Sequence, residues 1–120
     1  MTAPRTVVVP TLDHGPVTLT CPAWCVEPHT TPEHRADISH TGPEHRFAFG
    51  GTPLLVAMLS ADPFGPARRR PTALYVEQQD FARILDPDGL RQLATAYTVQ
   101  ASRLQTLAAD LAVLLAGGDQ

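Results

Sequence analysis

Cys21-Pro22-Ala23-Trp24-Cys25-Val26-Glu27-Pro28-His29 is the stretch that decides how the first half of this chain folds. It spaces three metal-ligand side chains at four-residue intervals, about one helical turn. With Cys21 as N-cap and Pro22 in the first helical position, Cys25 would lie beside Cys21 on one face. His29 follows Pro28, where a helical turn must end or bend. Zinc prefers thiolate sulfur and imidazole nitrogen in a closed tetrahedron. The spacing therefore points to a structural zinc site whose fourth ligand comes from downstream.

Three histidines compete for the fourth position: His34, His40 and His45. His40 is preferred because it leaves ten residues for a loop to return. His34 would force Thr30 to Glu33, with Pro32, to fold back sharply, and His45 is the next candidate. Other readings of the cysteines compete with zinc. A Cys21–Cys25 disulfide is disfavoured in a reducing compartment. A pair of buried thiols beside a solvated histidine loop is blander. A redox cysteine lacks the thioredoxin-like spacing. Residues 21–45 hold four prolines, four histidines and few aliphatics, too little apolar material to fold by burial alone. Trp24, the only tryptophan, is expected to pack as a lid over the site or against a sheet.

Upstream, Thr6 to Val9 and Val17 to Thr20 are short and rich in Val and Thr, with turn chemistry at Asp13-His14-Gly15-Pro16 between them. This pattern predicts a β-hairpin. Downstream, Arg46 to Phe49 and Leu54 to Leu59 flank Gly50-Gly51 and read as two strands around a turn, although the second run could be a buried helix turn. Residues 62–71 form a loop, and Thr72 to Glu77 is a further strand with Leu74 and Val76 on one face.

The C-terminal third reads as one long helix from Pro87 to Ala116. Asp86 is its N-cap, Pro87 suits the first helical position, Asp88 adds charge to the first turn, and Gly117-Gly118 supplies the stop. Leu90, Leu93, Tyr97, Gln100, Leu104, Leu107, Leu111 and Leu114 alternate by three and four, with Ala94, Ala101, Ala108 and Leu115 widening the stripe. A face that wide wants a sheet or more than one helix, and the small alanines would let a partner approach closely. The expected fold is therefore α+β: a small antiparallel sheet of four or five strands, a zinc-bound loop, and one long C-terminal helix packed on the sheet or in a dimer. It occupies residues 1–120 as a single domain, with a hairpin and zinc-binding segment over 1–45, strands over 46–80 and the helix over 86–116.

Composition narrows the function classes. At 120 residues the chain can bury one modest core. Net charge is −3, so no broad basic face is expected. All nine positive charges are Arg and there is no Lys, which a GC-rich genome explains. Prolines number 12 and concentrate before residue 72. The N-terminus lacks the apolar region of a secretory signal, and apolar stretches elsewhere fall far short of the roughly 20 residues that span a bilayer. A cytoplasmic protein without membrane association is the expectation.

Cys21-Pro22-Ala23-Trp24-Cys25, with His29, Asp37 and His40, resembles the small Cys-Pro-x-Trp-Cys domain of uncharacterised proteins from high-GC filamentous bacteria and their mobile elements. The leucine-rich C-terminal segment beginning Asp86-Pro87-Asp88 is similar to that family's helix. The resemblance implies zinc with His40 as fourth ligand, and His34 and His45 look like additions of this sequence. It implies no activity.

Three functions follow from these residues. The first is a non-enzymatic, zinc-stabilised regulatory or adaptor protein, a homodimer through its C-terminal helix with an unidentified protein partner. The second is a nucleic-acid-binding regulator using Arg68, Arg69 and Arg70, which the acidic total disfavours. The third is a zinc hydrolase with Glu33 or Glu44 as general base, for which the chain lacks a His-Glu-x-x-His motif.

Overall fold

The computed structural model describes residues 3–117. Six strands and one long helix follow in the order β1 (Arg5–Val9), β2 (Val17–Cys21), β3 (His40–Thr41), β4 (His45–Phe49), β5 (Thr52–Ala61), β6 (Ala73–Gln78) and α1 (Pro87–Gly117). β1 and β2 form a two-stranded sheet, while β3, β4 and β6 each pair with β5 in a second sheet. The architecture is α+β with antiparallel pairing, and it has six strands where four or five were expected. The extra strand is β3, whose two residues are too few for a sequence pattern to register.

The described residues divide into two compact units, one of residues 3–43 with Met58–Tyr75, the other of Glu44–Ala57 with residues 76–117. In the first, the hairpin forms as expected, with Val9 opposite Val17 and Arg5 opposite Cys21. Alternation along β1 and β2 turns Val9, Leu19 and Cys21 inward. They pack with Cys25 and Ile38, and Val7, Trp24 and Phe64 close the periphery. Arg35 lies over the Phe64 ring at 4.0 Å from its centroid. This core contains only three buried aliphatics, Val9, Leu19 and Ile38, beside the two cysteines. It is small for the length of chain it must order.

In the second unit, β4 and β5 make a hairpin whose turn needs left-handed backbone at two successive residues. Gly50 (φ +55°) and Gly51 (φ +80°) supply it. The run Leu54 to Leu59 is thus strand throughout, not a helix turn. Register slips between Phe47 and Ala48, leaving Leu54 as the extra residue of a bulge. The Leu54 carbonyl accepts a hydrogen bond from Gln79 N–H at 2.9 Å. Phe47 is 2% exposed, with the Arg103 guanidinium 4.5 Å from its ring centroid.

α1 begins as the sequence predicts. The Asp86 carboxylate accepts from Gly89 N–H at 2.8 Å, and the Asp86 carbonyl accepts from Leu90 N–H. The helix contacts β4. Its 31 residues make it about 46 Å long, whereas the five residues of β4 span about 17 Å. Most of the helix therefore extends past that strand. Gln100 is its one buried residue among those described, and Leu93, Leu104, Leu107, Leu111 and Leu114 are half-buried along the same stripe. Leu90 and Tyr97, expected in that stripe, are exposed.

Removing the cap leaves Gly89 N–H without its carboxylate partner. Asp86→Ala is expected to cost about 1 kcal/mol and to speed amide exchange in the first turn of α1, read by hydrogen–deuterium exchange. Unchanged exchange there would mean that the cap contributes nothing.

Candidate metal centre

Cys21 is the last residue of β2, and its ladder pairing with Arg5 turns its side chain into the core. Pro22 to Cys25 then form a tight turn closed by Cys25 N–H donating to the Pro22 carbonyl at 3.0 Å. The two cysteines are brought together by a turn at a strand end, not by one face of a helix. The reason is visible one residue later, where Val26 N–H donates to the Thr41 carbonyl at 2.8 Å and so is committed to a distant strand. Pro28, with no N–H, then excludes a helical continuation.

His29 adopts φ +56°, the only left-handed backbone at a non-glycine residue among those described. For an L-residue this conformation costs about 1–2 kcal/mol. It reverses the chain so that the imidazole turns back to Cys25, with Nε2 3.7 Å from Sγ. His40, the first residue of β3, is carried in by pairing with Ala61 of β5. One ligand atom from each of Cys21, Cys25, His29 and His40 lies within 4.8 Å of the others, and all four residues are buried. Both cysteines are free thiols.

The surroundings fit a cation. The two imidazoles meet edge to face at 5.6 Å, and Trp24 stacks edge-on to His40 at 6.3 Å. Trp24 thus packs beside the site, as a lid would. Nδ1 of His29 and Nδ1 of His40 are buried without a hydrogen-bond partner among the described residues. An unsatisfied buried polar group costs about 1–3 kcal/mol. Two buried imidazoles set against two thiols form a donor set of the kind that holds a transition-metal ion. Four Cys/His residues here lie close enough to hold one.

Burial fixes the protonation states. It pushes the Cys21 thiol up to about 11, with the neighbouring Cys25 adding to the effect. It lowers His29, and it lowers His40 to about 4, with His29 assisting by charge repulsion. The protein alone thus favours a neutral thiol and neutral imidazoles. A metal must displace the thiol proton to bind sulfur, so binding is coupled to proton release.

Arg5 was not identifiable from the sequence as part of this site. Its guanidinium donates to the Cys25 carbonyl at 2.8 Å and to the Glu27 carbonyl, pinning the loop between the second cysteine and Pro28. Nothing in a lone arginine sixteen residues before Cys21 signals that role. Gly42 also lies close by, where a Cβ would sit 3.2 Å from Leu59 Cβ and 3.5 Å from the Trp24 carbonyl.

Other candidates fall outside the cluster. His34 is exposed, and His45 is half-buried at the start of β4. Neither Glu33 nor Glu44 belongs to the four-residue cluster, and Glu44 is exposed and paired with Arg46. Arg68, Arg69 and Arg70 are all exposed, but Arg69 faces Asp62 at 3.6 Å and Arg70 donates to the Gly65 carbonyl at 2.8 Å. Two of the three arginines are thus engaged within their own loop.

Two predictions follow from this geometry. His29→Gly relieves the backbone strain yet removes a ligand. It is expected to lower both bound metal and the thermal midpoint, and a rise in the midpoint would show that strain outweighs ligation. For pH, the folded value of His40, about 4, lies below its ordinary 6.5. In the metal-free protein, the stability linked to it is complete above pH 6.5 and is lost as pH falls towards 4. Fluorescence of Trp24 should report unfolding in that window, whereas a transition confined below it would contradict the assignment.

Among the described residues, no helix is long and apolar enough to cross a membrane. No curated protein and no solved structure matches the chain. A family model described as a domain of unknown function, DUF6907, matches residues 6–113, a span that takes in all four cluster residues and most of α1. The chain therefore belongs to the DUF6907 family.

Proposed function

We propose that this protein is a non-enzymatic regulatory or adaptor module, stabilised by a structural zinc ion and acting through protein contacts as a homodimer. The observation that carries this reading is the closed, buried set of four Cys and His donors. Four protein ligands fill a tetrahedron and leave no position for water or substrate. One edge of the cluster has zinc's dimensions, within a set whose four ligand atoms lie within 4.8 Å of one another: bonds of about 2.3 Å to sulfur and 2.05 Å to nitrogen give a sulfur–nitrogen edge of about 3.6 Å. The Cys25 Sγ to His29 Nε2 separation is 3.7 Å. Two thiolates neutralise the ion, which suits burial in a small apolar core.

The zinc stands in for missing hydrophobic burial, so removing it should remove folding free energy. The free thiols suit a reducing cytoplasm, where a zinc site and not a disulfide would staple the segment. The exposed apolar length of α1 supports action by contact, since leucines and valines left in water favour a partner. An unidentified second protein and self-association both use such a surface. Nucleic-acid binding through Arg68 is the weaker alternative, because Asp62 and the Gly65 carbonyl already engage Arg69 and Arg70.

Elemental analysis should find one zinc per chain. Cys25→Ser should lose it and lower the thermal midpoint, and a chelator should do the same to the unaltered protein. An unaltered midpoint with no zinc would rule the reading out. Duplex DNA titrated across a salt series should show no steep salt-dependent binding, and a steep slope would favour the arginine loop instead.

A further inference from the structure

From the side chains that α1 leaves in water, we infer that the homodimer forms by antiparallel, twofold pairing through the flank marked by Ala94, Ala101, Ala108 and Leu115. This inference deepens the homodimer reading above by naming the face, the direction and the register.

At 100° per residue, α1 carries two apolar strips. The half-buried leucines and Gln100 form one. Beside it runs a second, Leu90, Ala94, Tyr97, Ala101, Ala108 and Leu115, every member of which is exposed. Leu90 is 57% exposed, Tyr97 42% and Leu115 44%. The helix has four charged residues, Asp88, Arg91, Arg103 and Asp110, and all four project on the other side. Arg103 is engaged over Phe47, and Arg91 pairs with Asp88. A flank from Leu90 to Leu115 with no charge on it is unusual for a helix face meant for solvent.

The size pattern along this flank is self-complementary. Setting Ala101 against Ala108 of the second copy, in an antiparallel pair, brings Leu115 opposite Ala94 and Tyr97 opposite Ala112. Leu115 and Tyr97 then each meet an alanine, and the two pairs that flank the axis are Ala against Ala, where the helices can approach closely. All three pairings share one midpoint between Leu104 and Gln105, as a twofold axis demands. Antiparallel packing also sets the helix dipoles in opposition.

Area sets the strength. The flank is about 38 Å long and one helix wide, about 10–12 Å, so two copies cover roughly 800–900 Å² before side-chain relief is counted. Specific interfaces begin near 1,000 Å². The dimer is thus expected to be weak and concentration-dependent.

The test is sedimentation of the full, metal-loaded chain over a concentration series, with metal content measured on the same samples. The unaltered protein should shift from monomer to dimer with rising concentration. Ala101→Glu buries two like charges near the axis and should weaken association at least about tenfold, with helical circular dichroism unchanged. Val113→Glu, on the charged side, should leave association as it was. Should Ala101→Glu unfold the helix, mixing Ala101→Cys with Ala108→Cys chains checks the register, because a disulfide should form between the two variants faster than within either alone. A monomer at every concentration, or equal weakening by Val113→Glu, overturns the inference. A dimer lacking metal contradicts only the zinc reading, and a metal-loaded monomer contradicts this inference and the homodimer reading it rests on while leaving the zinc reading intact. A metal-loaded dimer that Ala101→Glu does not weaken contradicts only this inference.

Discussion

The meeting of Cys21, Cys25, His29 and His40 at one buried point is the constraint on which the first unit depends. Three aliphatic side chains, Val9, Leu19 and Ile38, complete the buried cluster around the two cysteines. Burying a side chain of this kind contributes about 1.5–3 kcal/mol, while ordering each residue costs about 1–2 kcal/mol. That imbalance is largest across residues 21–45, which have almost no regular hydrogen-bonded structure beyond turns and short pairings. On the zinc reading, metal–ligand bonds supply what the aliphatics lack.

The same constraint accounts for local features that look costly alone. His29 holds left-handed backbone and both imidazoles keep a buried nitrogen unpartnered. Such costs collect where side chains are held for a purpose beyond packing. Arg5 fits this picture, since two main-chain carbonyls of the ligand loop take its guanidinium. β1 is thereby tied to the ligand loop as well as to β2.

Much of this was legible in the sequence for physical reasons. Donor chemistry and spacing nominate Cys21, Cys25 and His29, and the room a loop needs to return separates His40 from His34. Alternating Val and Thr mark the hairpin, Gly50-Gly51 the second turn, and Asp86-Pro87 the helix start. The failures are equally physical. A helical turn at Cys21–Cys25 matched the spacing, but the pairing of Val26 with Thr41 is a long-range contact that no local pattern encodes. β3 is too short to show alternation. The leucine stripe of α1 was drawn too wide: Leu90 and Tyr97 belong to a separate exposed flank that lies beside the half-buried leucines around the helix.

X-ray absorption at the zinc edge of the purified, metal-loaded protein tests the central claim most directly. A closed Cys2His2 centre predicts two sulfur neighbours at about 2.3 Å and two nitrogen neighbours at about 2.0–2.1 Å, with imidazole multiple scattering. Oxygen bound to the metal, a fourth position held by water, or fewer than two sulfurs would contradict it.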